Sequence, residues 1–133
     1  MKNETIVKNY LDCFNANNRQ GMIDLLSPSV KHFINQGSLE VGTEKFEKFL
    51  NHMDHCYEEK LVDVTILGSA DSNKVAAEFR VLGTYLKTDG TLPAAKGQKY
   101  DIWASGFYEI SDGKISSIKV YYNLPEWIQV VSR

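Results

Sequence analysis

The sequence predicts an α+β fold, with three helices packed on one face of a curled, mostly antiparallel sheet. Three observations carry this reading. Gly97 to Asn123 alternates as two long strands joined by a tight turn. Two more alternating stretches, Tyr57 to Leu67 and Val75 to Leu86, lie just before it. Three amphipathic helical stripes all precede those long strands, and helices segregated from consecutive antiparallel strands gather on one sheet face.

The first helix is set by Ile6, Val7, Tyr10, Leu11 and Phe14, which fall on one stripe at helical spacing. Asn15 to Asn18 loosens it, because asparagine competes with the helix through local hydrogen bonds. A short second helix buries Met22, Ile23, Leu25 and Leu26. Ser27-Pro28 ends it, since the residue before proline avoids the α region. Val30 to Asn35 then reads as a short strand, and Ser38 to Val41 as a second small extended piece. Thr43 is the expected N-cap of a third helix, with Glu44 in its first turn and Phe46, Phe49, Leu50 and Met53 as its apolar stripe.

In the strand from Tyr57, the residues Val62, Val64 and Ile66 alternate with Asp63 and Thr65. In the next, Val75, Ala77, Phe79, Val81 and Tyr85 share one face, with Glu78 and Arg80 on the other. Thr88 to Gly97 is the longest loop. In the hairpin, Tyr100, Ile102, Ala104, Gly106, Tyr108 and Ile110 share one parity, and Ile118, Val120 and Tyr122 share one beyond the turn. Asp112-Gly113 supplies the turn, because such a pair tolerates positive φ. The other hairpin face carries Trp103, Phe107 and Tyr121, so it too calls for a cover, and a second subunit is the expected one. Leu124 to Arg133 is a tail anchored by Trp127.

The chain of 133 residues fits a single domain spanning 1–133. A net charge of -2 disfavours nucleic acid as a partner. No apolar run reaches membrane-spanning length, and the charged N-terminal stretch lacks a signal peptide's apolar region. A cytoplasmic location is therefore expected, with Cys13 and Cys56 reduced.

These residues, taken together, are similar to the nuclear transport factor 2-like superfamily, and within it to the SnoaL-like and ketosteroid-isomerase-related proteins. The resemblance spans essentially the whole chain. It rests on Tyr10 to Ala16, on His32 to Gly37 with Glu40-Val41-Gly42 after it, and on the ending Val120 to Trp127. It implies a cone-shaped, cystatin-like fold, a homodimer through the outer sheet face, and an apolar pocket inside the cone. It also implies where the groups of a ketosteroid isomerase would fall. The oxyanion tyrosine matches Tyr10 within a residue. The base falls at Phe33, and the second oxyanion donor at Ser105 or Gly106. Two of those three groups are missing, so steroid isomerisation by that mechanism is not expected.

Function is therefore expected in the cone. Tyr10 and Asn35 are the catalytic candidates, to polarise and orient a carbonyl. Phe14, Phe33, Phe49, Met53, Phe79, Tyr85, Ile102, Gly106, Tyr108 and Tyr122 are the expected walls for a small apolar ligand. Each also has a plainer reading as core, and the tyrosines can equally fill the cone. On parity with an inward Phe33, His32 points outward. His52, His55 and Cys56 have helical spacing that permits zinc, but a basic group in a helix's last turn already suits the helix dipole. No metal or cofactor is expected. No inward carboxylate is expected to serve as a base. The reading is a cofactor-free isomerase or cyclase; the alternative is a non-catalytic ligand-binding or structural homodimer.

Overall fold

The computed structural model describes residues 2–34 and 37–133. Among these residues, four helices and six strands follow in the order α1 (Asn3–Asn15), α2 (Arg19–Asp24), β1 (Leu26–Phe33), β2 (Leu39–Val41), α3 (Thr43–Cys56), β3 (Tyr57–Gly68), β4 (Lys74–Tyr85), β5 (Lys99–Ser111), β6 (Lys114–Tyr122) and α4 (Leu124–Val131). The strands form one sheet in the order β2-β1-β6-β5-β4-β3. The β1–β6 pair is parallel and the other pairs are antiparallel. This is the α+β class read from the pattern, with one more helix than expected. No helix among the described residues is long and apolar enough to cross a membrane.

The hairpin folds as its sequence requires. Asp112 and Gly113 take φ of 52° and 75°, the twist that matches two antiparallel strands. Tyr100, Ile102, Ala104, Gly106, Tyr108 and Ile110 are all buried. On α1, Ile6, Val7, Tyr10 and Leu11 are the buried stripe. The Asn15 side chain ties that helix to the sheet edge: its Nδ2 donates to the Leu61 carbonyl at 2.9 Å, and its Oδ1 accepts from the Leu61 amide at 2.8 Å. The amide thus pairs with an edge strand as a neighbouring backbone would. Asn18 caps α2, accepting from the Gly21 amide at 2.9 Å.

Several expectations change. The predicted tail is helix α4. Asn123 accepts from the Glu126 amide and a proline sits in its first turn, both ordinary helix-start signals. Strand β1 begins earlier than expected and runs through Pro28, which an irregular pairing with β6 between Leu26 and Lys31 accommodates. The cap of α3 is Gly42, at φ 104°, rather than Thr43.

The parity of β1 is also reversed. His32 points inward with Val30 and is 5% exposed. Its ring lies edge-on to Phe49 and Phe46 of α3, at 4.4 and 5.0 Å. Phe33 is on the opposite face, with the Lys119 ammonium 4.5 Å from its ring centroid. The α3 phenylalanines supply an apolar bed that takes the imidazole, while the lysine offers the phenyl ring a cation.

Among the described residues, His32 Nδ1 has no hydrogen-bond partner. Burial lowers the imidazole's pKa from 6.5, partly opposed by the Glu40 charge. A group whose folded pKa is depressed leaves stability intact above its unfolded value and removes it as pH falls. Wild-type stability is expected to drop from pH 6.5 downward, and His32→Leu to flatten that drop. Urea midpoints measured at several pH values check this.

Candidate functional site at the mouth of the cone

The cone interior is packed by the chain's own aromatics. Tyr10 and Tyr108 meet edge-on, with ring centroids 5.8 Å apart. Burial raises both hydroxyls above the ordinary tyrosine pKa. Phe79, Tyr85 and Ile102 are buried in the same core. Gly106 leaves room for a neighbour rather than for a guest: a Cβ there would lie 2.4 Å from the Tyr108 hydroxyl.

The polar chemistry gathers at the mouth. Tyr57, Glu59 and Leu61 of β3 share the inward parity until Asp63, which takes φ 52°, and the pairing with β4 shifts between Val62 and Thr65. That irregularity swaps faces along the strand. It turns Val62 and Val64 away from the inward set and brings Glu59 in. The expectation that no inward carboxylate exists is therefore corrected.

Glu59 pairs across the ladder with Gly83, and Gly83 with Tyr100. The Tyr100 ring lies across Gly83 and its hydroxyl donates to Glu59 Oε2 at 2.5 Å. Among the described residues Glu59 Oε1 makes no hydrogen bond. Burial raises the Glu59 carboxyl above the ordinary glutamate range, against the smaller lowering effects of the Tyr100 hydrogen bond and the Arg19 charge. Burial and the Glu59 charge push the Tyr100 hydroxyl up in turn.

Gly83 is what allows this contact. A Cβ on it would sit 2.1 Å from Tyr100 Cζ and 2.4 Å from its hydroxyl. Gly83→Ala is expected to break the Glu59–Tyr100 bond and to cost about 1–3 kcal/mol through overpacking. With that lowering influence gone, the Glu59 carboxyl should titrate higher still. Denaturant unfolding and a carboxyl NMR titration check both parts.

Around this pair stand more polar groups. The Tyr57 hydroxyl donates to Asp89 Oδ2 at 2.7 Å, and its ring stacks on Tyr85 at 5.5 Å. Tyr85 uses its own hydroxyl to pin the long loop, donating to the Pro93 carbonyl at 2.7 Å and accepting from the Asp89 amide at 3.0 Å. Trp127 of α4 covers the cluster, with its ring 4.9 Å from Tyr85 and 5.8 Å from Tyr100. Tyr122 is half-buried; its hydroxyl is raised first by burial, then by the charges of Glu59 and Asp89.

A cleft of about 440 Å³ opens beside Glu59, lined by Asn17, Arg19, Asp54, Tyr57, Glu58, Glu59, Lys60 and Leu86. Arg19 holds a positive charge on its wall. It grips Asp54 at 2.7 Å, donates to the Phe14 carbonyl at 3.2 Å, and its guanidinium lies 4.9 Å from the Phe14 ring centroid. A basic carboxylate, a cation and phenolic donors can together take a proton from carbon and hold the resulting negative charge.

Among the described residues, none of the predicted pocket walls lines this cleft. Phe14, Phe49, Met53 and Tyr122 are half-buried, and Phe33 lies on the face away from the helices. Tyr10 and Phe33 are not brought together, and Asn35 lies outside the described residues. His52 and Cys56 do meet a third ligand type, Asp89, whereas His55 is not part of that group. Burial raises the Cys56 thiol, and the Asp89 charge adds to it.

The comparisons with known proteins agree with this architecture. The model of the SnoaL-like domain family matches residues 7–118. A crystal structure of a candidate polyketide cyclase from Silicibacter sp. is 44% identical, with a TM-score of 0.96 over 98% of this chain and 96% of that chain. Another, from Pseudomonas putida, is 40% identical, with a TM-score of 0.95 over 98% of both chains. A nuclear transport factor 2-like protein of unknown function from Burkholderia pseudomallei shares only 15% identity but the same fold, at a TM-score of 0.80 over 100% of both chains. A search of curated proteins finds no match. With its matched span, its close structural relatives and its helix-covered curled sheet, the chain belongs to the SnoaL-like domain family.

Proposed function

We propose that this protein is a cyclase or isomerase that moves a proton beside a carbonyl of a small, mostly apolar metabolite, with Glu59 as the proton carrier. The observation that carries this reading is the Glu59–Tyr100 pair, a carboxylic acid with a raised pKa on the wall of an open cleft. A more basic carboxylate at neutral pH is a better acceptor for a carbon-bound proton. Tyr100 orients it, and Arg19 stabilises the enolate that forms. Protonated Glu59 then returns the proton to another carbon or to the leaving oxygen. These steps use side chains alone. The 44% and 40% identical relatives, both candidate polyketide cyclases, support the same chemistry.

The substrate is expected to be a cyclic or aromatic β-dicarbonyl compound, whose acidic C–H suits a carboxylate base. The test is deuterium exchange at that carbon, followed by NMR over a panel of such compounds. Exchange catalysed by wild type and lost in Glu59→Gln supports the reading. No catalysed exchange across the panel, or equal exchange by both proteins, overturns it.

The working unit is a cytoplasmic homodimer. Its support is the outer sheet face, where Trp103 and Phe107 are 54% and 46% exposed beside Tyr121, a clustered aromatic surface of the kind that marks a protein contact. Sedimentation velocity should give a dimer for wild type and a monomer for Trp103→Glu/Phe107→Glu. A monomeric wild type would remove this part.

A further inference from the structure

We infer that His52, Cys56 and Asp89 form a three-ligand zinc site that clamps the end of α3 to the loop after β4. It stands apart from the proton-transfer reading and survives if Glu59 proves inert. The three donor atoms lie within 4.8 Å of one another. His52 Nε2 is 2.8 Å from Asp89 Oδ1 and 3.9 Å from Cys56 Sγ. A tetrahedral Zn²⁺ with ordinary bond lengths sets neighbouring ligand atoms roughly 3.3–3.6 Å apart. The His52–Asp89 distance falls short of that span, the His52–Cys56 distance slightly exceeds it, and the Cys56–Asp89 pair lies within 4.8 Å, so side-chain adjustments of about an ångström seat the ion.

The surroundings hold the ligands in place. His52 and Cys56 are four apart on one face of the last turns of α3. Asp89 is fixed twice, through its amide on the Tyr85 hydroxyl and through Oδ2, which accepts from Tyr57 at 2.7 Å. That second bond leaves Oδ1 facing the other two donors, the outer-shell arrangement common at metal-bound carboxylates. Imidazole, thiol and carboxylate together suit zinc better than magnesium or calcium, which want oxygen only. Zinc takes Cys56 as thiolate, and the thiol proton leaves to solvent. Three protein ligands leave the fourth position to water, on the side where His52 is exposed. Tyr57 links the site to the cleft, because it holds Asp89 and lines the wall.

The test uses the full chain stripped with EDTA and titrated with Zn²⁺ against a chromophoric chelator, and separately with Co²⁺. Wild type should bind one Zn²⁺ per chain, and Co²⁺ should show a thiolate-to-metal charge-transfer band. Cys56→Ser should abolish the band, Tyr57→Phe should weaken zinc by about 10-fold, and His55→Ala should change neither. Absence of the band in folded wild type at saturating Co²⁺ overturns the site and leaves a hydrogen-bonded triad only. So does zinc affinity that Cys56→Ser and Asp89→Asn leave unchanged.

Discussion

Glu59→Gln is expected to slow catalysed proton transfer by about 10²- to 10⁴-fold, the range removed when a positioned general acid–base is lost. The amide keeps the shape and a hydrogen bond to Tyr100 but cannot accept a carbon-bound proton. The loss should fall on kcat more than on KM, because the group acts in the transition state. The same change is expected to leave the protein at least as stable at neutral pH. Glu59 has a folded pKa raised above its ordinary 4.5. Such a group contributes stability that is present below its unfolded value and lost as pH rises through the folded one. Replacing it with glutamine removes that loss, so the stability–pH curve of the variant should be flatter in that window. Activity down and stability level or up is the pattern of a strained working group rather than a core contact. Initial rates and urea melts over a pH series measure both.

Trp127→Ala is expected to cost about 3–5 kcal/mol, the usual range for removing a buried large aromatic. Trp127 is 4% exposed. Its ring meets Tyr57, Tyr85 and Tyr100 edge-on. Without it α4 loses its main attachment, and Tyr100 loses the cover that holds it over Gly83. The variant should therefore also lose catalysed exchange, even at a temperature where it remains folded. Trp127→Phe should recover most of the stability and part of the activity. Denaturant melts combined with the exchange assay separate the two effects.

Much of the fold was legible in the residues. The hairpin parity from Tyr100 to Ile110 is buried as the alternation demands, and the α1 stripe is the core stripe. Trp127 anchors the C-terminal segment as expected. That segment's helix is hard to read because only eight residues carry it, and Pro125 sits in its first turn, where a helix tolerates proline. Parity with an inward Phe33 misplaces His32, because apolarity alone favours the phenyl ring for the inside. The neighbour that decided the matter, α3 with Phe46 and Phe49, lies distant in sequence from β1.

The site was less legible for a physical reason. Glu59 turns inward because a one-residue irregularity at Asp63 changes which side of β3 faces the core. A period-2 pattern read from Val62, Val64 and Ile66 cannot see that switch. The alternation Tyr57, Glu59, Leu61 was the available signal. Gly83 was silent, since its role is the space it leaves for a ring from the next strand.

The most direct measurement is an NMR titration of the side-chain carboxyl carbons, with Glu59 identified by its absence in Glu59→Gln. The expected result is that Glu59 titrates above the other glutamates, and higher again in Tyr100→Phe, where the lowering hydrogen bond is gone. A Glu59 carboxyl that titrates at or below the ordinary glutamate value, indifferent to Tyr100, would contradict it.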